Sequence, residues 1–571
     1  MYMKRNELNM NKIWKIKKIA EQHVKEYVDK FNITEFTAKM LLAKEIEQGK
    51  VENYLNPNIT KLYDPYLLED MDKMVERIIV AKTRKEKVAI YGDYDVDGIT
   101  SITLMYSFLK DLGLDVVYYL PDRQEEGYGL NKNAILSLKE KGISLIITVD
   151  CGISAVEEVE YANELGLDVC ITDHHECSEI LPNAYSIVNP KRPNSKYPFN
   201  SLAGVGVSFK VLDAITKKLN MPQESYLKYL DIVAVGTIAD IVPLVDENRI
   251  ITANGLEMLQ NTKNEGLKAL IKVAKIVTVD SDNVSFGLAP RINASGRMAD
   301  ATVAVKMLLS TNPLEAYNYA KVLDEQNLRR QEVERKIYEE AIGRIEREGL
   351  DKKKSIVIEG ENWHQGVIGI VASKLTEKYL KPVILLTYEG DKTKGSGRIP
   401  QGISLYDALT ECKEYLTAFG GHELAAGLTL ETKNIPAFKD KFEETIGIMK
   451  PEDFIRNIDI DFEVSKKDMT FDAIKEIEQL APFGQKNKRP VFVYKNLKVV
   501  SVSTLKDNKH LKFKLQDDNF YVDAIFFKAG DRRDEVKLSD KIDVVLTMSL
   551  NEFMGYKNIQ FLVVDFKKSI S

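Results

Sequence analysis

From residue 87 onward, short apolar runs alternate with amphipathic segments: VAIY then ITSITLMYSFLKDLG, DVVYYL then NKNAILSLKEKG, SLIITVD then SAVEEVEYANELG, and finally DVCITD. Strands alternating with helices of about a dozen residues specify a parallel sheet built from right-handed βαβ units. In such a sheet, ligands bind outside the carboxyl ends of the strands. The four strand ends read YGDYDVDG, LPDR, VDCG and TDHH, so each delivers an aspartate to the same edge, and the last adds His174 and His175. Helix capping explains one aspartate at such a station. Four of them, with Asp240 of DIVAVGTIADIVP as a fifth acidic station, form a constellation.

The first station, Asp93, Asp95 and Asp97 closed by Gly98, matches the first half of an EF-hand calcium loop. That loop needs a helix in front of it and a bidentate Glu at its twelfth position. Here the twelfth position is Leu104, and the preceding KVAIY reads as a strand, so the EF-hand is excluded. Crowded carboxylates repel one another unless a cation sits among them. Carboxylates with one or two imidazoles and no thiolate suit Mn²⁺ or Mg²⁺ better than structural zinc. More carboxylates than one ion needs imply two ions, the arrangement used for hydrolysis at phosphorus. Cys151, beside Asp150, reads as a packing residue.

At 571 residues the chain exceeds one hydrophobic core and calls for three or four domains. Residues 1–85 read mainly as a helical packing layer, with apolar positions repeating in WKIKKIAEQHVKEYVDKF and DMDKMVERIIVAK. Residues 86–310 hold the α/β core and a mostly helical continuation. Residues 311–350 form a densely charged helix of about 45 Å at 1.5 Å per residue, long enough to connect two domains. Residues 351–450 form a second, smaller α/β unit with SIVIE and PVILLTY as strands, and residues 451–571 alternate in the manner of a small β-barrel.

Hydrophobic residues at 44% and charged residues at 29% give an ordinary globular balance. The N-terminal stretch lacks the pattern of a secretory signal, no run of eighteen apolar residues occurs, and the four cysteines form no CxxC pair. A cytoplasmic protein with reduced thiols is expected. The formal net charge is −6, but residues 484–571 carry 17 Lys+Arg against 11 Asp+Glu, a net of +6, leaving −12 for the remainder. A basic module joined to an acidic body is compatible with a polyanion held against a metal-charged site, although an ordinary lysine-rich surface accounts for the charge equally well. Of the six histidines, His364 in WHQGVIGIVASKL and His422 in GGHELAAG lie among glycines, which permit close approach of backbone N–H groups to a phosphate. GSGRIP places Ser396 and Arg398 on a similar loop.

With these residues in hand, the chain resembles the RecJ family of the DHH phosphoesterase superfamily, bacterial single-strand-specific exonucleases. GDYDVDG, LPDRQEEGYG, VDCGIS, TDHH, VGTIADIVPL, RINASGR, HQGVIGIVASKL, GSGR, GGHELAAG and LAPFG occur in the family's order over nearly the whole chain. The resemblance implies a DHH domain with two divalent cations, Mn²⁺ or Mg²⁺, a DHHA1 domain binding substrate across a cleft, and a C-terminal OB-fold gripping single-stranded DNA. It assigns Asp95, Asp97, Asp150, His174 and Asp240 as metal ligands, Asp150, Asp240 and His175 as the catalytic set, and His175 to the phosphate. A superfamily histidine four residues before the DxD pair is Tyr91 here, and Asp93 is a further candidate ligand that compensates. Arg123, Ser396 and Arg398 match residues around a 5′-terminal phosphate, and Arg297, His364 and His422 match substrate-phosphate contacts. PFGQKNKRPVF departs from the family pattern, with Lys486 and Lys488 at positions usually held by Gly and Pro.

The implied activity is 5′→3′ hydrolysis of single-stranded DNA to 5′-mononucleotides, in DNA repair and recombination. Phe513, Phe520, Tyr521, Phe526 and Phe527 are candidates for stacking on bases, and strand alternation requires about half of them to face the core. The partners implied are single-stranded DNA with a 5′ end, single-strand-binding protein and a RecQ-type helicase, with the protein acting as a monomer. A DHH–DHHA1 nanoRNase or cyclic-dinucleotide phosphodiesterase is the alternative within the same chemistry, but needs no barrel. A catalytically silent single-strand-binding relative is the alternative from another class; there the metal ligands erode, whereas here all five are present.

Overall fold

The apolar runs of the catalytic region become a five-stranded parallel sheet in the order Asp115–Tyr119, Lys87–Gly92, Ile143–Val149, Asp168–Thr172, Ser186–Val188. The computed structural model describes residues 12–121, 126–127, 129–448, 456–553 and 555–569. Helices cover the sheet, so its central strands are apolar on both faces: Ile146, Ile147 and Val149 are all fully buried. Helix Leu230–Ala239 is buried along its length and packs against helices Val96–Asp111, Gly204–Lys218 and Asp246–Gln260.

The described chain divides into two compact units. One holds residues 14–289, 307–316 and 458–571, and so combines the parallel sheet with the C-terminal barrel. The barrel closes through strands Phe492–Leu505, His510–Asp517, Phe520–Phe526, Tyr556–Lys568 and Lys541–Phe553, the last pairing back onto the first. The N-terminal segment differs from its reading as helix throughout. Lys12–Ile16 is a strand, because KIWKI also alternates with period two, and the first helix begins at Glu21. Trp14 donates through Nε1 to Asp565 of the barrel at 2.9 Å. Met40 and Leu41 of the N-terminal helices share one core with Phe492, Leu511 and Phe513 of the barrel.

In the other unit a mixed sheet runs Ala418–Gly421, Ala425–Glu431, Lys392–Arg398, Val383–Glu389, Ile356–Gly360, parallel only in its last pairing. Strand alternation splits its core: Val383 and Leu385 pack with helix Gln365–Tyr379, whereas Ile384 and Leu386 pack with Phe438 and Phe442 of helix Ile435–Gly447. The charged segment is a 36-residue helix, Pro313–Glu348. Among the described residues no helix is long and apolar enough to cross a membrane.

Candidate metal centre

The sharp exit from strand Lys87–Gly92 begins the site. Asp95 caps helix Val96–Asp111, accepting from Gly98 N–H at 3.0 Å, and so places Asp97 in the helix's first turn. Gly98 lies inside that helix instead of forming a turn before it, and its lack of a side chain is what the site needs: a Cβ there would lie 2.4 Å from the Asp93 carbonyl oxygen. Asp97 is 1% exposed and accepts two backbone N–H bonds at 2.7 Å, from Gly204 and Val205 at the start of helix Gly204–Lys218. That helix N-terminus favours a carboxylate. A Cβ on Gly204 would sit 2.5 Å from Asp150 Oδ1, so glycine at this position lets two acidic stations meet.

Asp150 follows strand Ile143–Val149 with φ +60°, a left-handed conformation that Asp tolerates, and its N–H is held by the Thr172 carbonyl. Asp240 caps the C-terminal end of helix Leu230–Ala239. His174 Nε2 meets three of these groups: Asp150 Oδ1 at 3.2 Å, Asp240 Oδ2 at 3.6 Å and Asp97 Oδ2 at 3.8 Å. It is buried and makes no hydrogen bond of good geometry with any of them. The ring's backbone bond to Leu202 therefore falls to Nδ1 and fixes the tautomer whose Nε2 lone pair points into the carboxylates.

Electron pairs facing electron pairs in a buried pocket fit a cation between them. Burial and the Asp95 charge push the Asp97 carboxyl up to about 7. Burial, then the Asp97 and Asp95 charges, push Asp240 up to about 9 and raise Asp150 well above the usual carboxylate range. Burial and the neighbouring His175 pull His174 down to about 4, so it is neutral and able to ligate. Two groups have the spacing to hold an ion: Asp150, His174 and His175, and Asp97, His174 and Asp240. Asp93, 3% exposed, and the half-buried Asp95 lie outside these two groups.

The fourth strand-end aspartate has a different task from the others. Asp173 Oδ2 accepts from Ile153 N–H, and Oδ1 accepts from the backbones of His174 and His175 and meets His175 Nδ1 at 2.7 Å. Burial alone would raise its pKa, but these bonds lower it; in turn Asp173 outweighs burial at His175 and raises that imidazole's pKa. Asp173 is thus an orienting residue that strand-end position alone did not distinguish from a ligand. The Gly204 and Val205 N–H groups were also missed; the signal was the LAGVGV run opening a helix. Tyr91 is a core residue, stacked on Tyr119 at 5.1 Å and donating to the Gly129 carbonyl. Arg123 lies outside the described residues.

In the smaller unit, Ser396 and Arg398 sit on strand Lys392–Arg398, not on a loop, with Arg398 Nη1 donating to Ser396 Oγ at 3.1 Å. Two glycines on successive turns of helix Gln365–Tyr379 make room for the basic groups. A Cβ on Gly369 would lie 2.9 Å from Ser396 Oγ and 3.1 Å from Arg398 Nη2, and one on Gly366 would lie 2.8 Å from the Arg297 carbonyl. Arg297 Nη1 donates to the Gly366 carbonyl, and His364 caps the helix by accepting from Gly366 N–H at 3.1 Å. His422 is exposed in the turn between strands Ala418–Gly421 and Ala425–Glu431, its N–H bonded to the Ala425 carbonyl.

Residues 87–237 match the DHH family, N-terminal domain; 352–447 match the DHHA1 domain; and 460–565 match the RecJ OB domain. Over 559 residues the chain is 40% identical to the single-stranded-DNA-specific exonuclease RecJ of Bacillus subtilis (strain 168), covering 97% of this chain and 70% of that protein. The Escherichia coli (strain K12) protein of the same name is 34% identical over 529 residues, 87% of this chain and 90% of its own. The crystal structure of RecJ in complex with Mn²⁺ from Thermus thermophilus superposes with a TM-score of 0.86 at 27% identity, covering 98% of this chain and 80% of that one. The same protein's Mg²⁺ complex gives a TM-score of 0.80 at 25% identity, covering 99% of this chain and 79% of that one.

Proposed function

The chain belongs to the RecJ family of single-stranded-DNA-specific exonucleases, and on that premise we propose that it hydrolyses single-stranded DNA from the 5′ end to 5′-mononucleotides, in DNA repair and recombination. The observation that carries the reading is the convergence of three carboxylates on the buried Nε2 of a neutral histidine. We assign Asp97, Asp150, His174 and Asp240 to two divalent cations, Mn²⁺ or Mg²⁺. Asp95, whose charge acts on three of these groups, and Asp93, buried at the head of the same turn, complete the candidate set. When bound, such ions lower the pKa of a water and neutralise charge on phosphoryl oxygens.

The chain's own groups bind and orient. Asp173 favours the protonated form of His175, a cation suited to a phosphate oxygen next to the cluster. The N-terminus of helix Gly204–Lys218 holds Asp97 in place by two hydrogen bonds. We assign Arg398, with Ser396, to the 5′-terminal phosphate together with Arg123, and Arg297, His364 and His422 to further phosphates. The enzyme would work as a cytoplasmic monomer on single-stranded DNA, with single-strand-binding protein and a RecQ-type helicase as partners; these last assignments rest on the family resemblance. Digestion of single-stranded DNA labelled at either end, with duplex DNA and short RNA as controls, tests the reading. Mononucleotides should appear first from the 5′ end, and the Asp150→Ala variant should show no Mn²⁺-dependent activity. Release from the 3′ end, or a strong preference for dinucleotides, would overturn it.

A further inference from the structure

A polar pocket of about 590 Å³ opens next to the DHH histidines, lined by Glu176, Lys191, Asn194, Ser195, Asn200 and Ser201 among others. The 190–201 segment that forms it is built rigidly. Asn189, fully buried, clamps the two sides together: its Nδ2 donates to the His175 carbonyl at 3.0 Å and its Oδ1 accepts from Lys191 N–H at 2.8 Å. Arg192 is tied down by Asp70 and the Ile187 carbonyl, and the Tyr197 hydroxyl donates to Glu247, which is paired with the fully buried Lys210. Asn248 holds the Ser201 carbonyl at the far end, one residue before Leu202, to which the His174 ring is bonded.

Lys191 is the exchangeable cation of this rigid segment. Its Nζ meets Glu176 at 2.9 Å, but Glu176 is 76% exposed, and an ion pair with so exposed a partner contributes only about 0–1 kcal/mol. Exchanging that partner for a phosphate therefore costs little. The Lys191 charge already acts on His174 and Asp240, lowering the pKa of each.

We propose that Lys191 and this pocket hold a backbone phosphate of single-stranded DNA, the one that follows the scissile phosphate on its 3′ side. The inference rests on the exonuclease reading: a strand cut from its 5′ end extends 3′-ward from the metal cluster, and the pocket is the polar recess adjoining His175 that carries a cation able to change partners. Breaking the Glu176 pair on binding makes Glu176 a competitor for Lys191.

The test uses the full chain, Mn²⁺ and 5′-phosphorylated oligodeoxynucleotides over a range of salt concentrations. Lys191→Gln should raise KM about tenfold, the effect of one charge-assisted hydrogen bond, with kcat changed far less. It should also reduce the slope of log affinity against log salt by about 0.7, the signature of one lost contact on a single strand. Lys191→Arg should restore both, and Glu176→Gln should lower KM. A neutral methylphosphonate at the linkage following the scissile one should impair the unaltered protein but add nothing to the Lys191→Gln defect. An unchanged KM and salt slope, or a methylphosphonate penalty that persists in Lys191→Gln, would overturn the assignment. Equilibrium binding of the same oligonucleotides needs no turnover, so a protein that binds with the Lys191-dependent slope yet fails to digest them overturns the exonuclease reading alone.

Discussion

The guanidinium of Arg249 lies over the ring of Tyr54, 4.1 Å from its centroid, and Nε donates to the Tyr54 carbonyl at 2.9 Å. Its Nη1 and Nη2 reach the Leu480 and Gln479 carbonyls at 2.9 and 3.4 Å. One side chain of helix Asp246–Gln260 thus ties the N-terminal helices to the segment entering the barrel. Arg249 is 2% exposed, and burial pulls its pKa below the ordinary arginine value. Carbonyl dipoles and a ring face carry the charge.

Replacing Arg249 with Met removes the buried charge but strands three carbonyl oxygens. Arg249→Met should destabilise the sheet-and-barrel unit by about 2–4 kcal/mol, because unsatisfied buried acceptors cost more than the relieved desolvation returns. The urea midpoint should fall, while activity at 25 °C should persist because Arg249 contacts no candidate ligand. An unchanged midpoint would mean that water replaces the guanidinium.

The raised carboxyls of the metal cluster make stability depend on pH in a direction opposite to most proteins. Asp97 and Asp240 ionise near 3.8 in the unfolded chain but near 7 and 9 when folded without a cation. Between those values the folded state binds more protons, so its stability falls as pH rises. A cation requires the ionised forms, so its affinity climbs over the same range. In EDTA the melting temperature should drop between pH 5 and pH 9, and excess Mn²⁺ should shrink or reverse that drop. Asp240→Asn should flatten the EDTA profile; the same slope in variant and unaltered protein would remove Asp240 from the coupled cluster.

The acidic stations were legible because parallel strands all present their carboxyl ends at one edge, so spacing along the chain translates directly into proximity. That argument could not separate Asp173 from Asp150, since both follow a strand; only the hydrogen bonds from Ile153, His174 and His175 show that Asp173 orients His175. In the smaller unit GSGR looked like a loop because glycine and arginine are poor strand formers. The strand forms there because Gly395 and Gly397 fit closely beneath Leu386, Leu428 and Leu405. Lys486 was visible as a departure from a family glycine, and the structure supplies the reason for the glycine: the residue sits at φ +55°.

The close fit around Gly369 makes it a sharper probe of 5′-end recognition than the charged residues themselves. Gly369→Ala places a methyl 2.9 Å from Ser396 Oγ and 3.1 Å from Arg398 Nη2, so the pair must shift by a few tenths of an ångström. Discrimination between 5′-phosphate and 5′-hydroxyl substrates should fall by about tenfold, the scale of one charge-assisted hydrogen bond, with kcat on the 5′-hydroxyl substrate little changed. Arg398→Ala should produce the larger loss in the same ratio. Equal losses on both substrates would place the pair outside 5′-end recognition.

Of the five barrel aromatics, burial separates those able to meet a base from those that build the core. Phe513 is fully buried and packs edge-on against Phe566, and the half-buried Phe526 lies against Phe566 and under Arg532. Tyr521 and Phe527 are 52% and 55% exposed, with Lys514 beside the Tyr521 ring and His510 edge-on to Phe527. Phe513→Ala should cost about 3–5 kcal/mol of stability, a cavity effect measurable by urea unfolding. Tyr521→Ala and Phe527→Ala should leave stability within about 0.5 kcal/mol. Each should weaken single-strand binding by about 1–3 kcal/mol, the worth of one base stacked on an aromatic ring. Fluorescence titration with an oligothymidylate reads this directly. If both variants bind as tightly as the unaltered protein, strand tracking falls to the barrel's lysines, and its salt dependence should then account for all of the affinity.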